Sequence, residues 1–545
     1  MSSEPPITKS TDNSVAFRYQ LLLVFLLTAA AIFTRLSIIH STYDFPGDAI
    51  SRALASYEWS LHPKWISSAY WAPGFTYING SIMMLLKNPY VTTRIVNAVL
   101  GGLSVAVLFF TAKKIFGFFA AVCAASTLVL MPLDVGLSAS GLTEAPFISY
   151  ILLSFFALIQ AATVAPEQKN KRIFWLSISC FMMIIANMIR CESWTYLPLW
   201  LGYYFLRTRR AIETTAVAMV LAIFPLSWLW SCWQDYNMPF LSFSTASDPR
   251  NNFISVPEAI SAVSYMLLQF LGPILLIGAI FGAVQLLRSG KDKLSELNPE
   301  RLFYLSWTAL LLVTAVALAA NYGANMQARF LLLLMVLLMP IGGYALTKLP
   351  YFAAKIASGK KASFMVALVL ASLFSIESSL ITCWLIKPDI FITTMKTAEL
   401  DALSDWLKKT HNDDKTIVFT SINYRAFQVP LQCPKLVGRS NIVMDFWTPL
   451  LDLRDELKAQ PPNFLVTGDD DGKDLAALTS VADFSIAKPA IFENGFVHAY
   501  KIIPGTFACK PDPKMPACFW YPTPNWRTLF QSWKRKTTQN HSTSS

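Results

Sequence analysis

Two aspartates, Asp44 and Asp48, stand close together in the segment YDFPGDAISR. Asp48 follows a Pro-Gly turn and opens an amphipathic stretch that runs through Ser60, so it suits a helix N-terminus, where the helix dipole favours a carboxylate. In that role it is a cap, with Arg52 one turn later as its surface partner. A carboxylate just above a membrane can equally act as general base toward an acceptor hydroxyl. Three further segments carry ionisable residues: Glu144 in SASGLTEAPF, Arg190 and Glu192 in MIRCESW, and Arg329 in NMQARF. Any one of these alone reads as well as a snorkelling anchor. Four segments supplying both signs to one leaflet are harder to dismiss. Carboxylates and arginines next to lipid suit an anionic, membrane-embedded substrate whose phosphate the guanidinium groups grip, and an isoprenoid-phosphate sugar has that chemistry.

The elements that must position these residues are membrane helices. The chain has 545 residues, of which 54% are hydrophobic and 14% charged, against about 25% charged in a soluble protein. Apolar runs give eleven expected spans near residues 19–40, 92–112, 117–133, 145–165, 173–189, 194–206, 214–233, 264–287, 302–320, 329–349 and 363–386. The sixth is short. The first run continues without a small-residue cleavage site and reads as a retained anchor behind a cytoplasmic tail of residues 1–18.

Segment 72–86 is apolar but short, and it contains Pro73, Gly74, Asn79 and Gly80. Charge decides how to read it. If it does not cross, one side of the membrane receives Lys9 and Arg18, Lys113 and Lys114, Lys169 and Arg172, Arg207 to Arg210, Arg288 to Lys293, and Lys348 to Lys361, a consistent positive-inside pattern. Segment 72–86 is therefore expected to be a re-entrant or interfacial helix within a first external loop at 40–91. The external segments then include 133–144, 190–193, 234–263, 320–329 and everything after 387.

Beyond 387 the pattern changes to an amphipathic helix at 397–410, strands at 416–421, 441–444 and 463–467, a helix at 450–458 and a strand pair within 484–503. This predicts an extracytoplasmic α/β domain over 387–533, followed by a polar, disordered tail at 534–545. The net charge of +11 sits mostly at span ends, where it sets orientation, so no nucleic-acid partner is expected. The cysteines form no metal-ligand spacing; Cys509 and Cys518 could pair if their region faces an oxidising compartment. Trp59, Trp65, Tyr70 and Trp71 cluster in the first loop, where an interfacial belt is the leading reading and a sugar-stacking surface the second.

The chain resembles the GT-C superfamily of integral-membrane glycosyltransferases, near the branch of the dolichyl-phosphate-mannose protein mannosyltransferases and the lipid A aminoarabinose transferase. The resembling segments are PGDAISRA, APGFTYINGSIMMLL, RIVNAVLGGLSVAVLFFTAKKIFG, LMPLDVGLSASGLTEAPF, IRCESWTYLP and ARFLLLLMVLLMP, in order over most of residues 15–350. The resemblance implies a GT-C-like transmembrane catalytic domain over 19–386, with a polyprenyl-phosphate sugar donor and an external active site. An acidic residue of the first loop would be the catalytic base. That position maps to Asp48, with Asp44 as rival. Many relatives carry an adjacent Asp-Glu pair there, whereas Ala49 follows Asp48 here, so a second carboxylate would have to be Glu144 or Asp44.

On this reading Asp48 deprotonates an acceptor hydroxyl or amine as it attacks the anomeric carbon with inversion, and Glu144 orients the acceptor or tunes Asp48. Arg190, Arg329 and Arg52 receive the leaving phosphate, and Glu192 is a secondary candidate. No cofactor is required, although a divalent ion held by a carboxylate pair stays open. The acceptor is a protein, lipid or glycan that the sequence does not specify. A plasma membrane is preferred over endoplasmic reticulum because no eukaryotic sorting signal is visible. Two other classes remain: a transporter or flippase of lipid-linked sugars, against which stands the lack of a visible repeat, and a non-catalytic membrane scaffold.

Overall fold

The computed structural model describes residues 10–39, 47–68, 71–237, 239, 254–288, 299–323, 326–354, 398–410, 418–420, 461–467, 479, 482–495 and 497–509. Its helices, in chain order, are α1 (Ser10–Ile39), α2 (Gly47–Leu61), α3 (Gly74–Leu86), α4 (Pro89–Phe116), α5 (Phe118–Leu130), α6 (Pro132–Ser140), α7 (Glu144–Thr163) and α8 (Lys169–Ile189). They continue with α9 (Leu197–Thr208), α10 (Ala211–Tyr236), α11 (Val256–Leu271), α12 (Pro273–Arg288), α13 (Pro299–Tyr322), α14 (Leu332–Ala354) and α15 (Ala398–Thr410). Short 3-10 turns at Cys191–Tyr196 and Ala328–Leu331 lead into α9 and α14. The protein is a multi-pass helical membrane protein: among the described residues seven helices are long and apolar enough to cross, or up to nine if each of two bent pairs is one span.

Among the described residues the expected eleven spans are not all found, for identifiable reasons. The span expected at 363–386 lies outside the described residues. The sixth, at 194–206, is a 3-10 turn followed by the 12-residue α9, only about 18 Å of helix. The span expected at 264–287 is two helices, α11 and α12, bent by 114°, because Gly272 takes φ +87° and Pro273 follows it. Proline supplies no N–H to continue the α11 ladder. Likewise α5 and α6 meet at 53° across Met131-Pro132. The segment 133–144, expected as an external loop, is thus mostly the buried helix α6, and the one expected at 234–263 already contains the start of α11.

Segment 72–86 forms α3, 13 residues long, too short to span. Its glycines let it pack tightly: a Cβ on Gly74 would stand 2.7 Å from the Met188 carbonyl carbon at the end of α8.

Polar side chains fix how the helices run. Glu213, at the start of α10, accepts from Arg172 at 3.0 Å near the start of α8 and from the Tyr204 hydroxyl at 2.8 Å near the end of α9. Arg207 pairs with Glu300 at the start of α13 at 3.2 Å. The beginnings of α8, α10 and α13 and the end of α9 therefore share one end of the bundle. Short as it is, α9 carries the chain back from the Arg190 end to the Arg172 end. The opposite end holds the 3-10 turns with Arg190 and Arg329.

The C-terminal part has α/β character. Strands β1 (Val418–Thr420), β2 (Phe464–Thr467), β3 (Ala482–Asp483), β4 (Ile486–Asn494), β5 (Val497–Ile502) and β6 (Ala508–Cys509) form a four-stranded sheet of order β1-β2-β5-β4 and a β3-β6 pair. β1 and β2 are parallel and the other pairings antiparallel. Leu403 and Leu407 of α15, one helical turn apart, pack on Val466, Val497 and Ala499 of the sheet. The helix expected at 397–410, the strand at 463–467 and the strand pair within 484–503 are present. The strand at 441–444, the helix at 450–458 and Cys518 lie outside the described residues.

Candidate active site

Asp48 lies in the first turn of α2, Glu144 is the first residue of α7, and Arg190 ends α8 as its C-cap. Arg329 stands in the 3-10 turn that precedes α14. Each is at a helix terminus, where the backbone leaves the apolar interior and a charged side chain can reach water.

These ends converge. Arg329 Nη2 donates to Asp48 Oδ2 at 2.8 Å, and its Nε lies 3.9 Å from Glu144 Oε1. Arg190 forks between two carboxylates, Nη1 to Glu144 Oε1 at 2.8 Å and Nη2 to Glu192 Oε1 at 2.6 Å. Arg190 Nη1 also reaches Thr143 Oγ1 at 3.4 Å. Arg52 stacks its guanidinium 4.1 Å from the centroid of Trp71. Two arginines and three carboxylates thus form one network, with Arg52 beside it on Trp71. The planar forks explain why arginine stands at these positions: one Arg190 side chain makes two separate charge-assisted bonds, which a lysine point charge cannot do with the same geometry.

The network is graded in exposure. The Asp48 side chain is 43% exposed, the Arg190 and Arg329 side chains 15% each, and Glu144 only 6%. Burial pushes the Asp48 carboxyl up, but the charges of Arg329, Arg52 and Arg190 and the Arg329 hydrogen bond outweigh it and hold the group below its ordinary value of 3.8. Burial likewise works against the charge of Glu192, and the Arg190 charge and hydrogen bond win, so that carboxyl is also lowered. For Arg190 burial is overcome by the facing carboxylates, and it is raised. Arg52 is different: burial dominates and brings it down to about 10, still charged at neutral pH.

A cavity of about 550 Å³, counting its open mouth, adjoins the network. Glu144, Arg190, Glu192 and Arg329 line it, and Leu311, Ala315 and Leu318, on one face of α13, form part of its apolar wall. Among the described residues Glu144 Oε2 and Arg329 Nε are buried without a hydrogen-bond partner, so the network has capacity for a further polar group. A space with cations and carboxylates at one end and aliphatic side chains along its wall matches an amphiphile with an anionic head. Among the described residues no three His, Cys, Asp or Glu side chains gather as a metal-binding group.

Of the residues singled out from the sequence, Asp48, Glu144, Arg190, Glu192 and Arg329 are joined directly, and Arg52 stands beside them on Trp71. Asp44 lies outside the described residues. Sequence reasoning missed Tyr196, which lines the cavity and packs 6.0 Å from Trp307; as an aromatic in a short apolar run it carries no distinguishing signal. It also missed Thr143, whose place beside Glu144 in LTEAPF was the available hint.

The arrangement, with a carboxylate-bearing loop helix after the first span and arginines at later helix ends, shares its fold with solved membrane-protein structures. Residues 70–231 match the family model of the dolichyl-phosphate-mannose-protein mannosyltransferases. Among solved structures, ArnT from Cupriavidus metallidurans in the apo state is similar at TM-score 0.60 and 12% identity, covering 89% of this chain and 98% of that one. The same protein bound to undecaprenyl phosphate aligns at TM-score 0.58 and 12% identity over the same shares of the two chains. The archaeal oligosaccharyltransferase AglB from Archaeoglobus fulgidus, in complex with an inhibitory peptide and a dolichol-phosphate, aligns at TM-score 0.55 and 10% identity over 91% of this chain and 75% of that one. No curated protein sequence matches the chain.

Proposed function

We propose that the protein is a membrane glycosyltransferase that moves a sugar from a polyprenyl-phosphate-linked donor to an acceptor outside the cytoplasm, with inversion at the anomeric carbon. The observation that carries this reading is the convergence of Asp48, Glu144, Arg190 and Arg329 beside a cavity with an apolar wall. It is supported by the polyprenyl phosphates bound to the two structural relatives, undecaprenyl phosphate in one and dolichol-phosphate in the other.

In this mechanism the donor's tail lies along the aliphatic wall and its phosphate meets Arg329 and Arg190. Asp48 then takes the proton of the acceptor nucleophile. The nucleophile bonds to the anomeric carbon, the carbon–oxygen bond to phosphate breaks from the opposite face, and polyprenyl phosphate leaves with its charge held by the guanidinium groups. Glu144, anchored by Arg190, orients the acceptor or tunes Asp48. The reading needs no cofactor. The positive-inside charge pattern supports an extracytoplasmic site.

The test is transfer by the purified protein in nanodiscs. Labelled hexose and pentose donors on undecaprenyl and dolichyl phosphate are supplied with an envelope fraction as acceptor, comparing wild type with Asp48→Asn. Label transferred by wild type and lost in the variant is the expected result. Equal transfer would remove Asp48 as base, and no transfer from any donor would overturn the reading.

A further inference from the structure

Arg94 and Asn97 lie one turn apart on α4, and their residues are 1% and 0% exposed. An arginine in an apolar helix interior is costly to bury unless its donors are engaged. Arg94 reaches to the last turn of α6 and Asn97 to the linker between α6 and α7, each 45 residues along the chain. Arg94 Nε donates to the Ala139 carbonyl at 2.6 Å, and Asn97 Nδ2 donates to the Leu142 carbonyl. Ala139 and Leu142 bracket the end of α6, where the last carbonyls lack intrahelical partners and Gly141 reverses the chain at φ +79°. Two residues after Leu142 comes Glu144.

The other end of α6 is pinned in the same manner. Arg35 of α1 pairs with Asp134 in the first turn of α6, both side chains fully buried, and donates to the Leu128 carbonyl at 3.1 Å. Helix α6 is thereby held between two buried arginines, one at each end. Beyond the linker, Ser149 of α7 donates to the Leu100 carbonyl of α4 at 2.5 Å. The chain is thus tied to α4 on both sides of Glu144.

We propose that Arg94 and Asn97 are positioning residues that clamp the α6–α7 linker and so set the height of Glu144 against Arg190 and Arg329. The inference rests on the glycosyltransferase reading for its catalytic consequence and on the hydrogen bonds alone for the clamp. The two bonds that cross to α6 and its linker are both to main-chain carbonyls, so what they fix is the backbone course into α7; on its own helix Arg94 also lies 5.8 Å from the centroid of the Tyr90 ring.

The experiment uses the full-length protein in nanodiscs with Arg94→Met and Asn97→Ala, made singly so that at least one remains folded. Hydrogen exchange is read over 139–148 and, as reference, over α8 and α13. Transfer is measured in wild-type and Glu144→Gln backgrounds. Loss of protection confined to the linker is expected, with a fall in transfer of about tenfold to a hundredfold, as misplacement of a site group produces. In the Glu144→Gln background the same substitutions should cost little, because the group they place is already gone. Unchanged linker protection, uniform loss across all helices, or full additivity with Glu144→Gln would each overturn the proposal. If Glu144→Gln transfers like wild type while the linker is still deprotected, Glu144 leaves the reaction and the catalytic half of the proposal falls with it. The clamp itself then stands.

Discussion

Arg329 and Asp48, 281 residues apart in the chain, share a hydrogen-bonded ion pair of 2.8 Å beside the cavity that Arg329 lines. The residue proposed to hold the donor's phosphate is thus engaged by the residue proposed as base. A phosphate that takes the Nη2 hydrogens of Arg329 competes with the Asp48 carboxylate for them, while the unpartnered Nε can accept it without exchange. On the proposed function, donor binding at Nη2 and release of the base are therefore coupled.

Asp48→Asn separates the two roles. Loss of the base lowers transfer by about 10²–10⁴-fold. The same substitution removes the internal anion that occupies Arg329, so affinity for undecaprenyl phosphate should rise. Titration of intrinsic tryptophan fluorescence with that lipid checks the second half. Weaker binding in the variant would mean that Asp48 supports the phosphate site and does not compete with it.

The same coupling fixes the pH dependence. In the free protein the arginine charges hold the Asp48 carboxyl below 3.8, so it is ionised throughout the neutral and mildly acidic range. The acid limb of kcat/KM, which reports the free enzyme, should fall below the ordinary carboxylate range. With donor bound, a phosphate adds negative charge nearby and draws Arg329 away, and both effects raise a carboxyl pKa. The acid limb of kcat should therefore lie at higher pH than that of kcat/KM. Coincident limbs in the two profiles would count against the exchange of partners.

Arg190→Lys tests the fork. The guanidinium holds Glu144 at 2.8 Å and Glu192 at 2.6 Å at once, and an ammonium keeps the charge without the paired planar donors. Releasing one buried carboxylate from a charge-assisted bond costs about 1.5–3 kcal/mol, or roughly ten- to a hundredfold in transfer. Because charge is preserved, the loss should fall mainly on kcat, with a smaller change in undecaprenyl phosphate binding. Kinetics at saturating donor distinguish the two.

How much of this was legible follows from where each residue stands. Asp48, Glu144, Arg190 and Arg329 showed themselves because a charged residue at the edge of an apolar run has few reasons to be there. Their pairing did not show, since the separation of Asp48 and Arg329 carries no local signal. Arg35 and Arg94 were passed over, although an arginine inside an apolar run is the same kind of anomaly. The fall in hydropathy after Pro132 points to an external loop for Asp134, whereas it marks a bend that leads into the buried helix α6. The Gly272-Pro273 break was written in the residues and overridden by the hydrophobicity around it. The mannosyltransferase-like resemblance held at the level of the fold, where its ordered segments were most informative.

Gly74→Ala probes whether the first loop must sit against α8. Gly74 opens α3, and an added Cβ would meet the Met188 carbonyl carbon at 2.7 Å and its oxygen at 2.8 Å, distances that no rotamer change can relieve because the obstacle is backbone. Met188 lies two residues before Arg190, so the strain falls on the end of α8 that presents the fork. Either α3 moves outward, carrying with it α2 and Asp48, or the end of α8 yields and shifts Arg190. Overpacking of this kind costs about 1–3 kcal/mol. The expected outcome is a lower melting temperature together with a fall in transfer larger than the stability loss explains at the assay temperature. Gly136→Ala is the control, because a Cβ there meets nothing within 4 Å. If Gly74→Ala behaves like that control in both melting and transfer, the loop is not held in place by this contact.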